Sequence, residues 1–258
     1  MDDMQIPVKF KNREGLVLRG FVHKPKRYDT AVIVLHGFPG SCNGHSAPPA
    51  ARMLERAGFL ALRFSFSGSP PSDGRFEDKL MSKEADDIKY AIDFLEKNYL
   101  FKRLVLFGHS TGAIDAALYA HRDKRIDRLI LTGGSGNLKE AVRYDFTDEQ
   151  VRDFWSKGYM TYHRIGKWTY GKKLKKAFYD EFFRLDVLGS LHKFRKPVLI
   201  VHGGNDEAVR PDKDPYELYN AANKPKRLVI IKGSDHSFSK PRHRAQLAHY
   251  VLRFIREK

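Results

Sequence analysis

Three residues of this chain could together open an acyl bond: Ser110, Asp206 and His236. Ser110 sits in Gly108-His109-Ser110-Thr111-Gly112. An apolar run, Leu104-Val105-Leu106-Phe107, precedes it, and a helix-like stretch over 113–120 follows. Strand, Gly-x-Ser-x-Gly, helix is the setting in which a serine becomes a nucleophile. The reversal is so tight that side chains two residues to either side would clash, so glycine is needed there. The following helix aims its free N–H groups and positive dipole end at developing negative charge. The pentapeptide alone is a weak signal, met by chance about one time in ten in a chain of this length. What strengthens it is order. Asp206 lies in Gly203-Gly204-Asn205-Asp206-Glu207, after a buried strand, and His236 lies in Gly233-Ser234-Asp235-His236, after the last strand. Serine, then acid, then histidine, each just past a strand end, is the hydrolase order.

The roles follow from chemistry. Ser110 attacks an acyl carbonyl, and His236 takes its proton and later returns it to the leaving group. Asp206 fixes the imidazole tautomer and stabilises the imidazolium. Glu207 and Asp235 are the competing acids. One oxyanion donor is the backbone N–H of Thr111, the residue after the nucleophile. His109 and His202 flank the motif strands and read as structural residues. Ser135, in Gly133-Gly134-Ser135-Gly136, lacks the second motif glycine.

These residues need elements to position them. Residues 9–13 and 16–23 read as an antiparallel start. Residues 31–35 are a short continuous apolar run, the pattern of a strand buried on both faces, and 60–64, 104–107, 128–132, 197–202 and 227–231 read as further strands. Helices are expected over 50–57, 215–222 and the C-terminal segment. A further one carries the stripe Ile88, Ala91, Ile92, Leu95, Tyr99. Alternating strands and helices mean a mostly parallel sheet with helices on both faces, and ligands then bind at the carboxyl ends of the strands. The rhythm breaks over 135–196, which is polar, aromatic and basic and shows no strong strand. It reads as a cap, inserted after the strand ending near Thr132, within a single domain spanning 1–258. Its aromatic residues Trp155, Tyr159, Tyr162 and Trp168 are candidates for the acyl pocket. Lys172, Lys173, Lys175 and Lys176 are candidates for a basic rim.

The chain resembles the α/β-hydrolase family over essentially its whole length. The resemblance is carried by His36-Gly37-Phe38, the serine pentapeptide, the 203–209 turn and the 233–238 loop. It implies an α/β-hydrolase fold, and its pattern places the second oxyanion N–H at Phe38, since Pro39 has none to donate. His36 braces that loop. The loop 66–74 departs from the family's Gly-x-Gly-x-Ser-x-Gly form: serine stands where Asp and Arg are common, and Pro70-Pro71 replaces the middle. Length and small cap look most similar to bacterial and archaeal carboxylesterases of the cinnamoyl and feruloyl group. The implied activity is a serine esterase on small to medium acyl groups. A thioesterase, amidase or acyltransferase would use the same machinery, and a non-catalytic binding protein is the alternative from another class.

The chain has 258 residues, 41% of them apolar, and a formal net charge of +16. That length supports a substantial core. Such a charge could serve nucleic acid, acidic membranes or anionic substrates. It is spread along the chain without a zinc-finger, basic-zipper or RNA-recognition signature, so nucleic acid is not expected. No His-x-x-x-His pair with Glu, complete phosphate-loop Gly-x-x-x-x-Gly-Lys-Ser/Thr or dinucleotide Gly-x-Gly-x-x-Gly occurs, so neither metal nor cofactor is expected. Apolar runs fall short of the roughly 20 residues that span a bilayer. The first five residues carry no basic segment leading into an apolar one, and the single cysteine, Cys42, fits a reducing compartment. A cytoplasmic location is the expectation. The oligomeric state is open, a homodimer included.

Overall fold

The computed structural model describes residues 5–257. Residues 1–4, on which the expectation of no secretory segment chiefly rests, lie outside them. Along the chain the elements are β1 Gln5–Lys11, β2 Val17–His23, β3 Thr30–Leu35, α1 Ala47–Arg56, β4 Leu60–Phe64, α2 Met81–Asn98, β5 Arg103–His109, α3 Thr111–Ala120 and β6 Arg128–Thr132. There follow α4 Leu138–Asp145, α5 Asp148–Lys157, β7 Tyr159–Thr161, β8 Lys173–Lys175, α6 Lys176–Arg184, α7 Val187–Lys193, β9 Val198–Gly203, α8 Asp214–Ala221, β10 Lys226–Ile231 and α9 Pro241–Arg256.

The main sheet has the order β1-β2-β4-β3-β5-β6-β9-β10. β2 is antiparallel to both of its neighbours, and the strands from β4 to β10 run parallel. β3, β4, β6 and β9 have no exposed position, whereas β10, at the sheet edge, is mostly half-buried. Strand side chains alternate between two layers, because successive Cβ atoms point to opposite faces. Ile33, Leu35, Leu62, Leu106, Leu131 and Ile200 pack with α2 and α3 on one face. Val32, Val34, Ala61, Val105, Phe107 and Val201 pack with α1 and α9 on the other.

Two boundaries differ from the sequence reading. α1 starts at Ala47 rather than at residue 50, because its Pro48-Pro49 pair falls in the first turn, where a missing N–H removes no helical bond. The segment over 135–196 does contain strands: β7 and β8 form an antiparallel hairpin, with Met160 opposite Leu174. Each is three residues long, too short for a two-fold pattern to register. α5 is bounded by strong local signals, a capping box of Thr147 and Gln150 at its start and Gly158 at φ 78° at its end.

Candidate functional site

The sheet brings the ends of β5, β9 and β10 to one edge, and the three candidate residues stand on the loops that leave them. Gly108 pairs with Leu35 on one side and Leu131 on the other, so Ser110 lies just past the middle of the sheet. It adopts φ 57°, ψ −127°, a region non-glycine residues avoid and which is found at functional turns. Its N–H donates to the Thr132 carbonyl at 2.8 Å. A Cβ on Gly108 would overlap the Gly112 carbonyl, and one on Gly112 would stand 2.6 Å from the carbonyls of Leu35 and His36. Both motif glycines are therefore required by close backbone approach. Thr111 opens α3, so its N–H has no acceptor within the helix.

Asp206 and His236 meet directly. His236 Nδ1 and Asp206 Oδ2 are 2.8 Å apart. With Nδ1–H donating to the carboxylate, Nε2 is left as the basic nitrogen. The other oxygen of Asp206 accepts the N–H groups of Ala208 at 2.9 Å and Val209 at 2.8 Å. Burial alone would raise this carboxyl, but hydrogen bonds from His202 and His236 override it and hold the group well below the usual carboxylate range. The competing acids are turned elsewhere. Glu207 Oε2 accepts the backbone N–H of His236 at 3.2 Å, and Asp235 accepts the N–H and hydroxyl of Ser239.

His202, read from the sequence as structural, contacts Asp206 directly. It is fully buried on β9, with Nε2 3.1 Å from Asp206 Oδ2. The carboxylate thus collects four donors, two of them imidazoles. No motif announces this contact, since it depends on the turn after β9 folding Asp206 back over its own strand. His109 precedes the serine and packs against His236. Its Nδ1–H donates to Thr132 Oγ1 at 3.1 Å, and its ring lies 4.9 Å from that of His236. Burial, reinforced by the positive potential of His236, pushes its pKa down to about 3, so it packs beneath His236 as a neutral ring.

The loop after β3 closes on the serine. A Cβ on Gly37 would sit 2.7 Å from the Ser110 Cβ. His36 braces this loop: Nδ1–H donates to the Gly37 carbonyl at 2.9 Å and Nε2 accepts the Phe66 N–H at 3.2 Å. Burial, then the nearby Lys79 ammonium, pushes its pKa down to about 3. The Phe38 ring stacks on Phe178 of α6 at 4.7 Å and on Phe76 at 5.7 Å. The unusual 66–74 loop is held from below. Asp87 Oδ2 accepts the Ser67 N–H at 2.8 Å, and Lys79, itself paired with Glu84, donates to Ser67 O and Ser69 Oγ.

Ser110 and His236 line one cavity of about 570 Å³ with His36, Phe38, Tyr162 and Trp168. Trp168 Nε1 donates to the Pro39 carbonyl at 3.0 Å, tying the insert to this loop. Two of the aromatic candidates are not among its lining residues. Trp155 is 69% exposed with the Lys176 ammonium 4.0 Å from its ring centre, and Tyr159 lies under Lys173. The lysine candidates are likewise not among its lining residues: Lys175 pairs with Asp78, Lys176 pairs with Asp180, and Lys172 lies over Trp168. Among the described residues, the lysines and arginines that line the cavity are Arg164 and Lys167, and no Asp or Glu accompanies them there.

Residues 26–157 match the sequence profile of a family described as Serine aminopeptidase, S33, half of the chain. The chain belongs to the α/β-hydrolase family. Among curated relatives, the hydrolase is 31% identical over 128 residues to Thiohydrolase apmlB of Arthrinium phaeospermum and 26% identical over 128 residues to Polyketide transferase ATR5 of Stachybotrys chlorohalonatus. Each match covers 48% of this chain and only 41% and 43% of those longer proteins. Similar solved structures cover nearly everything. Est1E of Butyrivibrio proteoclasticus, solved with ferulic acid bound, shares 26% identity at a TM-score of 0.78, over 98% of this chain and 97% of its own. The Pyrococcus furiosus esterase Pf2001 shares the fold at 22% identity and a TM-score of 0.75, over 98% of this chain and 91% of its own. The fold read from the strand order is thereby established, and the chain's structure is similar to those of esterases. No helix among its described residues is long and apolar enough to cross a membrane.

Proposed function

We propose that the hydrolase cleaves carboxylic esters of small to medium acyl groups through an acyl-enzyme on Ser110, with His236 as base and Asp206 as its orienting acid. One observation carries the reading: the strained elbow serine shares a cavity with a histidine whose Nδ1 is fixed by a buried carboxylate. Ser110 Oγ adds to the carbonyl while His236 Nε2 takes its proton. The N–H groups of Thr111 and Phe38 receive the oxyanion. The alcohol leaves with the proton from His236, and water then releases the acid by the same route. Residues 135–196 serve as a lid over this cavity within one hydrolase domain, contributing Tyr162 and Trp168 to the pocket.

A thioester substrate is the second reading. The thiohydrolase relative favours it, as do Arg164 and Lys167 at a cavity without acids, which suit an anionic leaving group. The test is a fluorophosphonate label with mass mapping, followed by turnover of nitrophenyl acetate. Label on Ser110 and loss of turnover in Ser110→Ala are expected. Full turnover in that variant would remove Ser110 as nucleophile.

A further inference from the structure

A second cavity, about 480 Å³, opens between α1 and α9. Its walls are Ala50 and Met53 of α1, Leu247 and Ala248 of α9, and Val34 and Phe107 of the sheet. It shares four lining residues with the Ser110 cavity: His45, Ser46, His109 and Ser237. Two of these are chain neighbours of the reacting groups, His109 before Ser110 and Ser237 after His236. The chamber is of ligand size, and several of its polar side chains are already engaged. His109 donates to Thr132, His45 Nε2 is 3.2 Å from Ser237 Oγ, and Arg244 donates to the Ser239 carbonyl. Among the described residues, no Asp or Glu lines it. What it chiefly offers a ligand is hydrocarbon surface, with Ser46 and Arg244 as polar lining.

We propose that this chamber holds the aliphatic acyl chain of the substrate, entered from Ser110 along the His45–Ser237 seam. The inference rests on the acyl-enzyme reading above and assigns the two sides of the serine. The insert side presents Tyr162, Trp168, Arg164 and Lys167, which suit a polar or aromatic leaving group. The α1–α9 side presents methyl and methylene groups, which suit a saturated chain. The seam is a single hydrogen bond between exposed side chains, so its opening costs little once water replaces the partner.

The test uses two ester series. In nitrophenyl esters from acetate to octanoate, kcat/KM is expected to rise by up to about four-fold per added methylene, the value of burying one. Ala50→Phe and Ala248→Phe fill the chamber from opposite walls, and each is expected to cut octanoate turnover about ten-fold while leaving acetate turnover unchanged. In alkyl acetates, where the alcohol grows instead, neither variant is expected to alter the chain-length response. An unchanged octanoate-to-acetate ratio in both variants overturns the proposal, as does sensitivity confined to the alkyl acetates. Binding of dansylamino-undecanoic acid, followed by fluorescence, separates this question from catalysis. If the wild type neither labels at Ser110 nor cleaves esters, the catalytic reading fails by itself. Probe binding lost in Ala50→Phe then still supports the chamber, and equal binding in both proteins rejects it. Should one variant fail to fold, the other decides.

Discussion

Replacing Asp206 by Asn tests the proposed acid more sharply than its removal would. The carboxylate accepts from four N–H donors, two per oxygen: Ala208 and Val209 on Oδ1, His236 and His202 on Oδ2. An amide has only one oxygen. With its NH₂ toward the imidazoles, it meets two donors, and His236 must move its proton to Nε2, where it faces the serine and cannot act as base. With the NH₂ turned the other way, it opposes two backbone N–H groups. The first arrangement should lower kcat/KM on the order of 10⁴-fold, about 5 kcal/mol of transition-state stabilisation. Either arrangement leaves buried donors unpaired, which costs about 1–3 kcal/mol of folding stability. Initial rates on nitrophenyl acetate and a thermal melt measure both. Glu207→Gln and Asp235→Asn, whose carboxylates bind backbone and a serine rather than the imidazole, should stay near the wild-type rate. A normal rate and melt in Asp206→Asn, or a collapse in either control, would refute the assignment.

Arg164→Ala with Lys167→Ala should lower kcat/KM for anionic esters and thioesters selectively, with a salt dependence that neutral esters lack. Neutralising Lys175 and Lys176, which already pair with Asp78 and Asp180, should not discriminate; a common factor for all substrates in both sets would remove the charge argument. Trp168→Ala, which loses the hydrogen bond to Pro39, should change preference among esters, whereas Trp155→Ala, mostly exposed, should leave kinetics unaltered; the comparison is kcat/KM across one ester panel. His36 is 3% exposed and its pKa is pushed down to about 3. An unfolded histidine titrates near 6.5, so below that pH only the unfolded chain takes up the proton, and stability falls as pH falls until about pH 3. His36 alone should remove about 2 kcal/mol between pH 6.5 and 5. His109 adds less, since it keeps a half-buried edge toward the cavity. Urea midpoints across that range should show the slope, and His36→Gln should flatten it; an unchanged slope would contradict the buried neutral imidazole.

What the sequence disclosed and what it concealed divide along physical lines. Buried strands are legible because a run such as residues 31–35 has no polar position, whichever face it turns. The meeting of Asp206 with His236 was legible from order, because parallel strands bring their loops to one edge. The partnership of His202 with Asp206 was not, since it depends on the path of one turn. The basic insert misled for a different reason. Lys172, Lys173, Lys175 and Lys176 cluster in sequence, yet the turn before β8, β8 itself and α6 direct them onto Trp168, Tyr159, Asp78 and Asp180. Charge density along a chain does not reveal which cations a hairpin turns toward a cavity, and Arg164 and Lys167 are the two that line it.

Phe38 joins two things that enzymes often keep apart. Its backbone carries one of the proposed oxyanion donors, while its ring is stacked against Phe178 of the insert and against Phe76. A substrate that shifts α6 therefore shifts the donor. Under the proposed mechanism, recognition at the lid is read out in turnover as well as in occupancy: a poorly fitting substrate can bind and still wait, because the aromatic stack that holds the electrophilic site in register has slipped. Discrimination would then appear in kcat, and inhibitors chosen for tight binding to the lid would not resemble the best substrates.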